Sequence, residues 1–418
     1  MAVIRPFRCV RPAEDKVSRV AALPYDVYNR KEAYETAKKE PISFLNIDRP
    51  ETQFPENYDM YAPEVYQKAK DMYEEQKTQG IYVSDTDEAY YIYELVMDGR
   101  VQTGITACAF IDDYLNGVIK KHENTREEKE QDRIRHVDTM NAQTGPIFLA
   151  YRSNAAINEV VARTKLNQAL YDFTGEDQVT HRVWKIKEPA DVNTVKEAFA
   201  SIDAIYIADG HHRAASAVKV GLKRRKEAGT YDGTEEFNYF LSVLFPHDQL
   251  MIMDYNRTVS DLYGLSNEEF FQKIDENFVC QEAPQSPYAP QKKGEFGMFL
   301  EDKWYQLTIR PERMEGKDPV AALDVSLLQD YLLGPVLGIK DPRTDDRIDF
   351  VGGIRGLKEL EKRATTDRKL SFSMYPTSIE ELFEVADAGM LMPPKSTWFE
   401  PKLRSGMFIH SLDGYEKA

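Results

Sequence analysis

The sequence predicts a mixed α+β fold, and three stretches of it carry that prediction. Residues 89–110 place two runs of aromatic and β-branched side chains on either side of an aspartate-glycine turn, which indicates a β-hairpin. Residues 63–79 have apolar side chains at helical spacing. Residues 205–217 pass from apolar, β-rich side chains through one tight turn into an alanine-rich segment, which is a strand-turn-helix pattern.

The elements of the first half follow from the same local signals. Pro41 closes one short helix, and Gly80 ends the next because glycine readily takes the conformation that follows a helix. We expect, in chain order, a strand over 3–10, a helix over 31–39, a strand over 43–47, a helix over 63–79, hairpin strands over 89–97 and 101–110, a charged helix over 126–138, a strand over 145–151 and a helix over 155–166.

The second half begins with a strand over 178–186 and a helix over 191–200, which deliver the chain to the strand-turn-helix segment. This order predicts a β-α-β-loop-α unit. Beyond it we expect strands over 238–245 and 250–259, a helix over 267–277, a hairpin of 296–300 with 304–309, helices over 323–333 and 355–365, a strand over 370–375 and a helix over 379–388.

A chain of 418 residues is too long for one small core. We divide it into an α+β region over 1–145, a core over 146–260 that contains the strand-turn-helix segment, and a second α+β region over 261–418.

Composition excludes several classes of protein. The apolar fraction of 42% and the charged fraction of 30% are those of a soluble globular chain. A net charge of −16 argues against a general nucleic-acid binder or a protein of the membrane surface. Cys9, Cys108 and Cys280 are too far apart for a metal knuckle and odd in number. We expect a cytoplasmic protein, because the start resembles no signal peptide and no apolar run is long enough to span a membrane.

The strongest functional signal is Asp209-Gly210-His211-His212-Arg213, at the junction between the central strand and its helix. Gly210 can take positive φ, so backbone N–H groups converge at the positive end of the helix dipole, beside two imidazoles and a guanidinium. Asp209 can cap the helix or hold a metal ion or a hydroxyl group, and the sequence leaves both open. An ordinary capped helix is the alternative, but polar groups at strand ends favour a ligand site.

A second constellation is His122-Glu123-Asn124-Thr125, before the charged helix over 126–138. Capping would account for Thr125, with Glu128 as its capping-box partner, but it leaves His122 and Glu123 unexplained. We therefore treat His122 and Thr125 as substrate-binding candidates and Glu123 as a catalytic one. Arg133 and Arg135 are expected on a solvated face.

Two further loops present polar side chains beside prolines. Pro24 holds the preceding loop extended, so Tyr25 and Asp26 are candidates to line a pocket together with Arg8, although a plain turn explains them as well. Near the C-terminus two prolines present Lys395, Ser396 and Thr397 together, which suits phosphate oxygens, although the glycines of a Walker loop are absent.

These motifs together resemble a widespread bacterial family catalogued as a domain of unknown function. The resemblance runs nearly end to end and implies a single-chain architecture but no established activity. It rests on R-P-F-R at 5–8, P-Y-D-V at 24–27, S-F-L at 43–45, H-E-x-T at 122–125, A-D-G-H-H-R at 208–213 and M-P-P-K-S-T at 392–397.

A narrower resemblance covers the D-G-H-H-R unit. It looks like the ParB/sulfiredoxin superfamily, whose nucleotide-binding members and ADP-dependent free serine kinases carry a G-x-x-R box at a helix N-terminus. The resemblance implies a ParB/sulfiredoxin-like core with large mixed-sheet additions, and a phosphate-gripping role for the box. The second box of ParB proteins, E-N-x-x-R, is not matched, because 123–126 is one residue short and precedes the first box.

The first functional hypothesis is a kinase that uses ATP or ADP with Mg²⁺ to phosphorylate a small hydroxyl compound, a free amino acid such as serine being one candidate. Asp209 or Glu123 would serve the acceptor or the metal, and His212 would act beside them. Phosphates would be held by the remaining motif residues, namely Gly210, His211, Arg213, Lys395, Ser396 and Thr397.

Two rivals remain. One is a non-catalytic nucleotide switch of ParB type that binds CTP; the other is a metal hydrolase, disfavoured because no H-x-x-x-H pair accompanies the two histidines. The sequence gives no oligomeric state. If the distant motifs form one site, the H-E-x-T and K-S-T segments should both face the helix after Arg213, with Arg8, Tyr25 and Asp26 at the rim.

Overall fold

The computed structural model describes residues 1–413. The described chain forms two compact units. Unit 1 consists of Met1–Leu250 together with residues 401–413, and unit 2 is Met251–Glu400. None of the helices in residues 1–413 combines the length and the apolar character needed to cross a bilayer.

The strands are mostly short, and the longest ones lie in unit 1. In chain order they are β1 (Ile4–Arg5), β2 (Cys9–Pro12), β3 (Tyr82–Ser84), β4 (Tyr90–Met97), β5 (Arg100–Phe110), β6 (Ile119–Lys120), β7 (Ala142–Gln143), β8 (Ile147–Tyr151), β9 (Tyr171–Thr174), β10 (Thr180–Ile186), β11 (Ile205–Asp209), β12 (Tyr239–Pro246), β13 (Met251–Met253), β14 (Tyr255–Val259), β15 (Phe278–Glu282), β16 (Glu295–Leu300), β17 (Lys303–Ile309), β18 (Ile348–Gly352), β19 (Leu370–Met374), β20 (Trp398–Glu400) and β21 (Ile409–Ser411).

The helices range from single turns to five turns. They are α1 (Val17–Val20), α2 (Arg30–Ala37), α3 (Leu45–Asp48), α4 (Pro63–Thr78), α5 (Ile111–Leu115), α6 (Glu127–Met140), α7 (Ala155–Thr164), α8 (Pro189–Ala200), α9 (His211–Ala228), α10 (Asn267–Asp275), α11 (Asp324–Leu328), α12 (Leu357–Thr366) and α13 (Ile379–Asp387). The predicted mixed α+β class is confirmed, whereas the ParB/sulfiredoxin-like core remains a prediction.

Unit 1 is built on a nine-stranded mixed sheet. Its order is β6-β11-β8-β12-β5-β4-β10-β9, and β1 adds to β5. The β12/β8 and β11/β6 pairs are parallel and the others are antiparallel. The predicted hairpin is its centre: β4 and β5 pair from Tyr91 with Thr106 down to Met97 with Arg100, around a turn with positive φ at Asp98 and Gly99. Strands from the predicted regions 1–145 and 146–260 therefore share one sheet, while the three-region division itself stays a prediction.

One face of this sheet packs on α5, α7, α8 and α9, and the shared apolar layer fixes where α9 begins. Ile207 of β11 and Ala214, Ala217 and Val218 of α9 all belong to that layer. A smaller sheet, β3-β2-β21-β7, and a second apolar cluster join the N-terminal helices to residues 401–413. Both chain segments of unit 1 are thereby tied into the part of the fold that carries the site.

Unit 2 has its own six-stranded antiparallel sheet, ordered β15-β17-β16-β19-β14-β18, and a two-stranded ribbon of β13 with β20. Its predicted hairpin of β16 and β17 is confirmed, with Glu301 and Asp302 at positive φ in the turn. A further predicted helix over 323–333 begins as α11 and continues into a wider π-type turn, Gln329–Leu333.

Three local predictions are wrong. The strand expected over 43–47 is the helical turn α3, because its residues Leu45–Asp48 are all buried and Asn46 donates its side-chain amide to carbonyls of the preceding loop. The strand expected over 3–10 breaks into β1 and β2, with Phe7 bridging to Ala89 between them. The strand expected over 250–259 divides at Asp254, whose carbonyl accepts the N–H of Gly353.

Replacing Gly221 by alanine should destabilise the fold, although alanine is the better helix former by about 1 kcal/mol. A Cβ at this position of α9 would lie 2.5 Å from the carbonyl oxygen of Phe237 and 2.8 Å from Cδ1 of Ile111. Because backbone cannot yield as a flexible side chain does, we expect the overpacking penalty, about 1–3 kcal/mol, to prevail.

Urea denaturation followed by circular dichroism measures the change in midpoint for Gly221→Ala. The control is Leu222→Ala on the exposed side of the same helix, where the side chain is 39% exposed and the change should be small. A midpoint for Gly221→Ala equal to or above that of the parent would contradict the close approach.

Candidate functional site

The N-terminus of α9 is shaped by Gly210, which caps the helix in the left-handed conformation at φ 92° and ψ 31°. This conformation turns the chain sharply out of β11, so that the carboxylate of Asp209 and the first turn of α9 lie side by side. The Asp209 Oδ1 atom accepts the N–H of Gly210 at 2.7 Å. Gly210 has no side chain to cap the helix, so the positive end of the helix dipole faces the site with the backbone of the first turn.

Asp209 forms an ion pair with Lys402, whose Nζ lies 3.0 Å from Oδ2. Burial by itself would raise the pKa of Asp209, but the charges of Lys402 and Arg213 outweigh it and hold the pKa well below the ordinary value. Asp209 is therefore ionised at neutral pH. Its carboxylate fixes a lysine ammonium beside the helix N-terminus and offsets the charge of that lysine.

The H-E-x-T segment lies directly against the start of α9. The N–H of Arg126 donates to Nε2 of His212 at 3.0 Å, and the N–H of His122 is 3.5 Å from Nε2 of His211. The rings of His122 and His211 meet edge to face with centroids 4.5 Å apart. Oε2 of Glu123 is 3.9 Å from Nδ1 of His211. The predicted convergence of these two motifs is thus present in unit 1.

These contacts require neutral imidazoles. A ring nitrogen that accepts a backbone N–H carries no proton, so the ring protons of His211 and His212 lie on Nδ1. Burial lowers the pKa of His122 to about 4 and lowers the pKa of His211 well below its usual range, with the neighbouring His122 adding to the effect. Burial also lowers the pKa of His212, with Lys129 acting in the same direction. Each motif histidine presents one N–H donor and no charge.

The Arg213 guanidinium crosses back over the glycine turn. A Cβ on Gly210 would meet its Nε at 3.2 Å, and a Cβ on Gly145 would meet its Nη1 at 3.4 Å. Nη1 donates to the carbonyl of Pro146 at 2.8 Å. The absence of a side chain at Gly145 and Gly210 therefore leaves space for the guanidinium, and the hydrogen bond to Pro146, the residue before β8, fixes its orientation.

Two cavities lie beside this site. The first has a volume of about 30 Å³, is lined by Arg213, Gly145, Tyr25 and Arg133 among others, and is large enough only for water. The second has a volume of about 180 Å³ and shares Tyr25 and Arg133 with the first. A nucleotide does not fit within the small cavity, so phosphates would contact the loop from its open side.

The predicted rim residues fall as follows. Tyr25 lines both cavities and stacks under the Arg133 guanidinium at 4.0 Å. Asp26 is exposed, and its negative charge partly offsets the lowering of the His212 pKa by burial. Arg8 is half-buried between Phe7 and β2. Its place at the rim remains a prediction.

The alternative that Thr125 caps the charged helix and the expectation that Arg133 lies on a solvated face are both wrong. Thr125 does not cap α6: the N-cap is Arg126, and the Thr125 hydroxyl instead donates to Glu130 at 2.7 Å. Arg133 is not solvated but 6% exposed, with its guanidinium donating to Asp132 at 2.9 Å and lying 3.4 Å from Asp48. The burial of Arg133 could not be predicted from the sequence, because Asp48 lies 85 residues away in the chain.

The K-S-T segment belongs to unit 2. Lys395 has positive φ, and its carbonyl accepts from Arg257 at 3.1 Å. Ser396 is buried and donates to the carbonyl of Pro393, which is a structural role. Thr397 is half-buried. Phosphate binding by Lys395, Ser396 and Thr397 remains a prediction.

Lys402 is the main residue that sequence reasoning missed. It lies 193 residues from Asp209 and follows the K-S-T segment by five positions, so the available signal was its place in the same proline-rich stretch. Within residues 1–413, no three His, Cys, Asp or Glu side chains are grouped closely enough to hold a metal ion.

The family described as "Protein of unknown function (DUF1015)" matches residues 4–326. The sequence matches none of the curated proteins.

Several solved structures resemble the chain remotely. A free serine kinase in complex with AMP shares 15% identity, covers 71% of this chain and 86% of its own, and has a TM-score of 0.34. A conserved hypothetical protein from Pyrococcus furiosus shares 15% identity with coverages of 74% and 95% and a TM-score of 0.34. A truncated SbnI from Staphylococcus aureus shares 11% identity with coverages of 75% and 90% and a TM-score of 0.39. TM-scores this low do not assign a function to this chain.

We expect the protein to lose stability as the pH falls from about 6.5 towards 4. Burial lowers the folded-state pKa of six histidines, so the unfolded chain binds protons in this range that the folded chain does not. Asp113, Asp254 and Asp324 have the opposite sign, because burial raises the pKa of each, that of Asp324 to about 7, but they are three groups against six. The six histidines are His122, His136, His181, His211, His212 and His410.

The measurement is the urea midpoint at pH 7.5, 6 and 5. His122→Gln, which removes one of the buried rings at the site, should reduce the slope of stability against pH. A midpoint that stays constant from pH 7.5 to 5 would show that these histidines are not buried in their neutral form.

Proposed function

This chain belongs to the DUF1015 family, and we propose that it is a nucleotide-dependent phosphotransferase that acts on a small hydroxyl compound. The observation that carries the proposal is the meeting of the H-E-x-T segment with the N-terminus of α9, where His212 accepts from Arg126 and Glu123 lies beside His211. A free amino acid such as serine is one candidate acceptor.

The phosphate site is supported by three kinds of donor at one place. The first turn of α9 offers the positive end of the helix dipole behind Gly210. Arg213 offers a guanidinium whose orientation is already fixed by Pro146. His211 and His212 offer neutral Nδ1–H donors. Phosphoryl transfer needs such fixed donors more than it needs covalent chemistry from the protein.

The two carboxylates differ in what they can do. Asp209 stays ionised because of Lys402 and Arg213, so it is a poor proton acceptor and a constant negative charge. Glu123 is half-buried, and its Oε2 lies 3.9 Å from Nδ1 of His211. We assign Glu123 to receive the acceptor's proton, and Asp209 to hold Lys402 in place and to face the Mg²⁺ ion of the nucleotide.

Mg²⁺ fits this site only as a companion of the nucleotide, since the described residues offer no three-ligand cage. Phosphate oxygens would hold it, with Asp209 as the ionised protein ligand, and it would neutralise charge that develops on the phosphates. In the reaction the acceptor oxygen forms a bond to the terminal phosphorus, the bridging P–O bond breaks, the shortened nucleotide leaves, and the hydroxyl proton passes to Glu123.

ADP or ATP should raise the melting temperature, and Arg213→Ala should remove most of that shift. A ligand that binds only the folded state contributes about 2.7 kcal/mol at a hundred times its Kd. The guanidinium is expected to supply much of the phosphate contact. Thermal-shift measurements with each nucleotide, with and without Mg²⁺, test this.

The matched control is Arg163→Ala, which removes an exposed guanidinium paired with Asp191 and should leave the shift unchanged. Arg213→Lys keeps the charge and should restore part of the shift. If Arg213→Ala responds like the parent to every nucleotide, the phosphate role of this loop is wrong.

Turnover separates an enzyme from a nucleotide-binding switch. Incubation with nucleotide and a mixture of free amino acids and polyols, followed by mass analysis, should reveal a phosphorylated small molecule. Glu123→Gln should lower that product at least tenfold while leaving the nucleotide shift in place, because only the proton acceptor is lost. Tight CTP binding with a large change of shape and no phosphorylated product would favour the switch instead.

A further inference from the structure

The larger cavity beside the site is built for a compound much smaller than a nucleotide. Its volume of about 180 Å³ is below the roughly 300–1,000 Å³ of typical drug-sized ligand pockets. Aromatic and apolar side chains form much of its wall, and they are Tyr25, Tyr28, Pro50, Met60, Tyr61, Val65 and Tyr66. The face of a tyrosine ring attracts a cation such as an ammonium group.

The charged groups deep in this wall already neutralise one another. Arg49 Nε lies 2.6 Å from Glu51, and Arg49 Nη1 donates to the carbonyls of Tyr25 and Tyr28. Asp132 accepts from Arg133 at 2.9 Å and from the Tyr66 hydroxyl at 2.8 Å. These hydrogen bonds and ion pairs fix the shape of the cavity. The two arginines and the two carboxylates cancel in charge, so these four groups leave no net charge for a ligand to balance.

Two exposed charges complete the lining, and they differ from the inner ones. The side chains of Asp26 and Lys129 form no hydrogen bond or ion pair with any residue in the described range 1–413. They have opposite signs. Lys129 lies in the first turn of α6, whose N-cap Arg126 donates its N–H to His212 at 3.0 Å, so this edge of the cavity is next to the D-G-H-H-R loop. The charge of Lys129 lowers the pKa of His212 and that of Asp26 raises it.

We propose that this cavity is the acceptor site and that its ligand is a small zwitterion, with an ammonium group facing Asp26 and a carboxylate facing Lys129. The inner charges of the lining residues, Arg49, Glu51, Asp132 and Arg133, sum to zero. A singly charged ligand would therefore leave one of the two exposed charges unmatched, whereas a zwitterion matches both. The role of this ligand as phosphate acceptor rests on the proposed phosphotransferase function. Binding of the ligand to the cavity does not depend on that function.

Four probes that share a hydroxymethyl group and differ in the charged groups they carry test the proposal on the full chain without nucleotide. They are L-serine, ethanolamine, glycerate and glycerol. Calorimetric titration should show the lowest Kd for L-serine, with at least a tenfold rise when either the carboxylate or the ammonium is missing and no measurable binding for glycerol.

Variants assign that preference to the two residues. Asp26→Asn should raise the Kd for L-serine at least tenfold and reduce the preference for L-serine over glycerate. Lys129→Met should raise the same Kd at least tenfold and reduce the preference for L-serine over ethanolamine. The matched controls Asp87→Asn and Lys68→Met replace exposed charges outside the cavity and should bind like the parent. Circular dichroism of each variant confirms that it is folded.

The two proposals fail in different ways. Equal affinity for all four probes, or unchanged binding in both cavity variants, would overturn the zwitterion site even if nucleotides bind and turn over. Phosphorylation of glycerol or glycerate in preference to L-serine would overturn it likewise. Binding of L-serine without any nucleotide effect would leave the cavity assignment standing and remove the phosphotransferase.

Discussion

The site depends on two hydrogen bonds that backbone N–H groups of residues 122–126 donate to unprotonated imidazole nitrogens at the start of α9. A charged imidazole has no free acceptor nitrogen, so neither bond survives protonation of His211 or His212. Burial keeps both rings neutral. The same condition that holds the H-E-x-T segment against the helix therefore removes two positive charges from a place that would otherwise be strongly cationic.

Positive charge at the site is instead supplied by groups whose orientation is fixed. Arg213 is held by the carbonyl of Pro146, and Lys402 is held by Asp209. The α6 and α9 helices are joined behind them, since the Ser216 hydroxyl is 3.1 Å from the carbonyl of Glu130. Fixed donors of this kind need no reorganisation when phosphate charge develops, which is the property that a phosphotransferase requires.

The elements that could be predicted from the sequence are those determined by interactions between residues close together in the chain. The β4/β5 hairpin follows from a two-residue turn whose Asp98 and Gly99 both take positive φ, and the glycine turn before α9 follows from Gly210. The D-G-H-H-R and H-E-x-T motifs were identified for their residue types, and the structure brings them together. Their chemical roles and the part played by the K-S-T segment remain predictions.

What could not be predicted depends on contacts between distant residues. The helical turn α3 replaces an expected strand because burial and the hydrogen bonds of Asn46 outweigh local preference. Arg133 was assigned to solvent because nothing near it in sequence indicates Asp48 or Tyr25 as partners. The Asp209–Lys402 pair joins residues 193 apart, and the cavity behind Tyr25 draws its lining from several separate segments.

The central claim is that phosphate binds at the start of α9 while its two histidines are neutral. A crystal structure of the protein grown at neutral pH with a non-hydrolysable nucleotide and Mg²⁺ tests it most directly. The account predicts the terminal phosphates against the backbone of Gly210 and the guanidinium of Arg213, with His212 still accepting from Arg126. A nucleotide bound elsewhere on the chain, with this loop unchanged and free of phosphate, would contradict it.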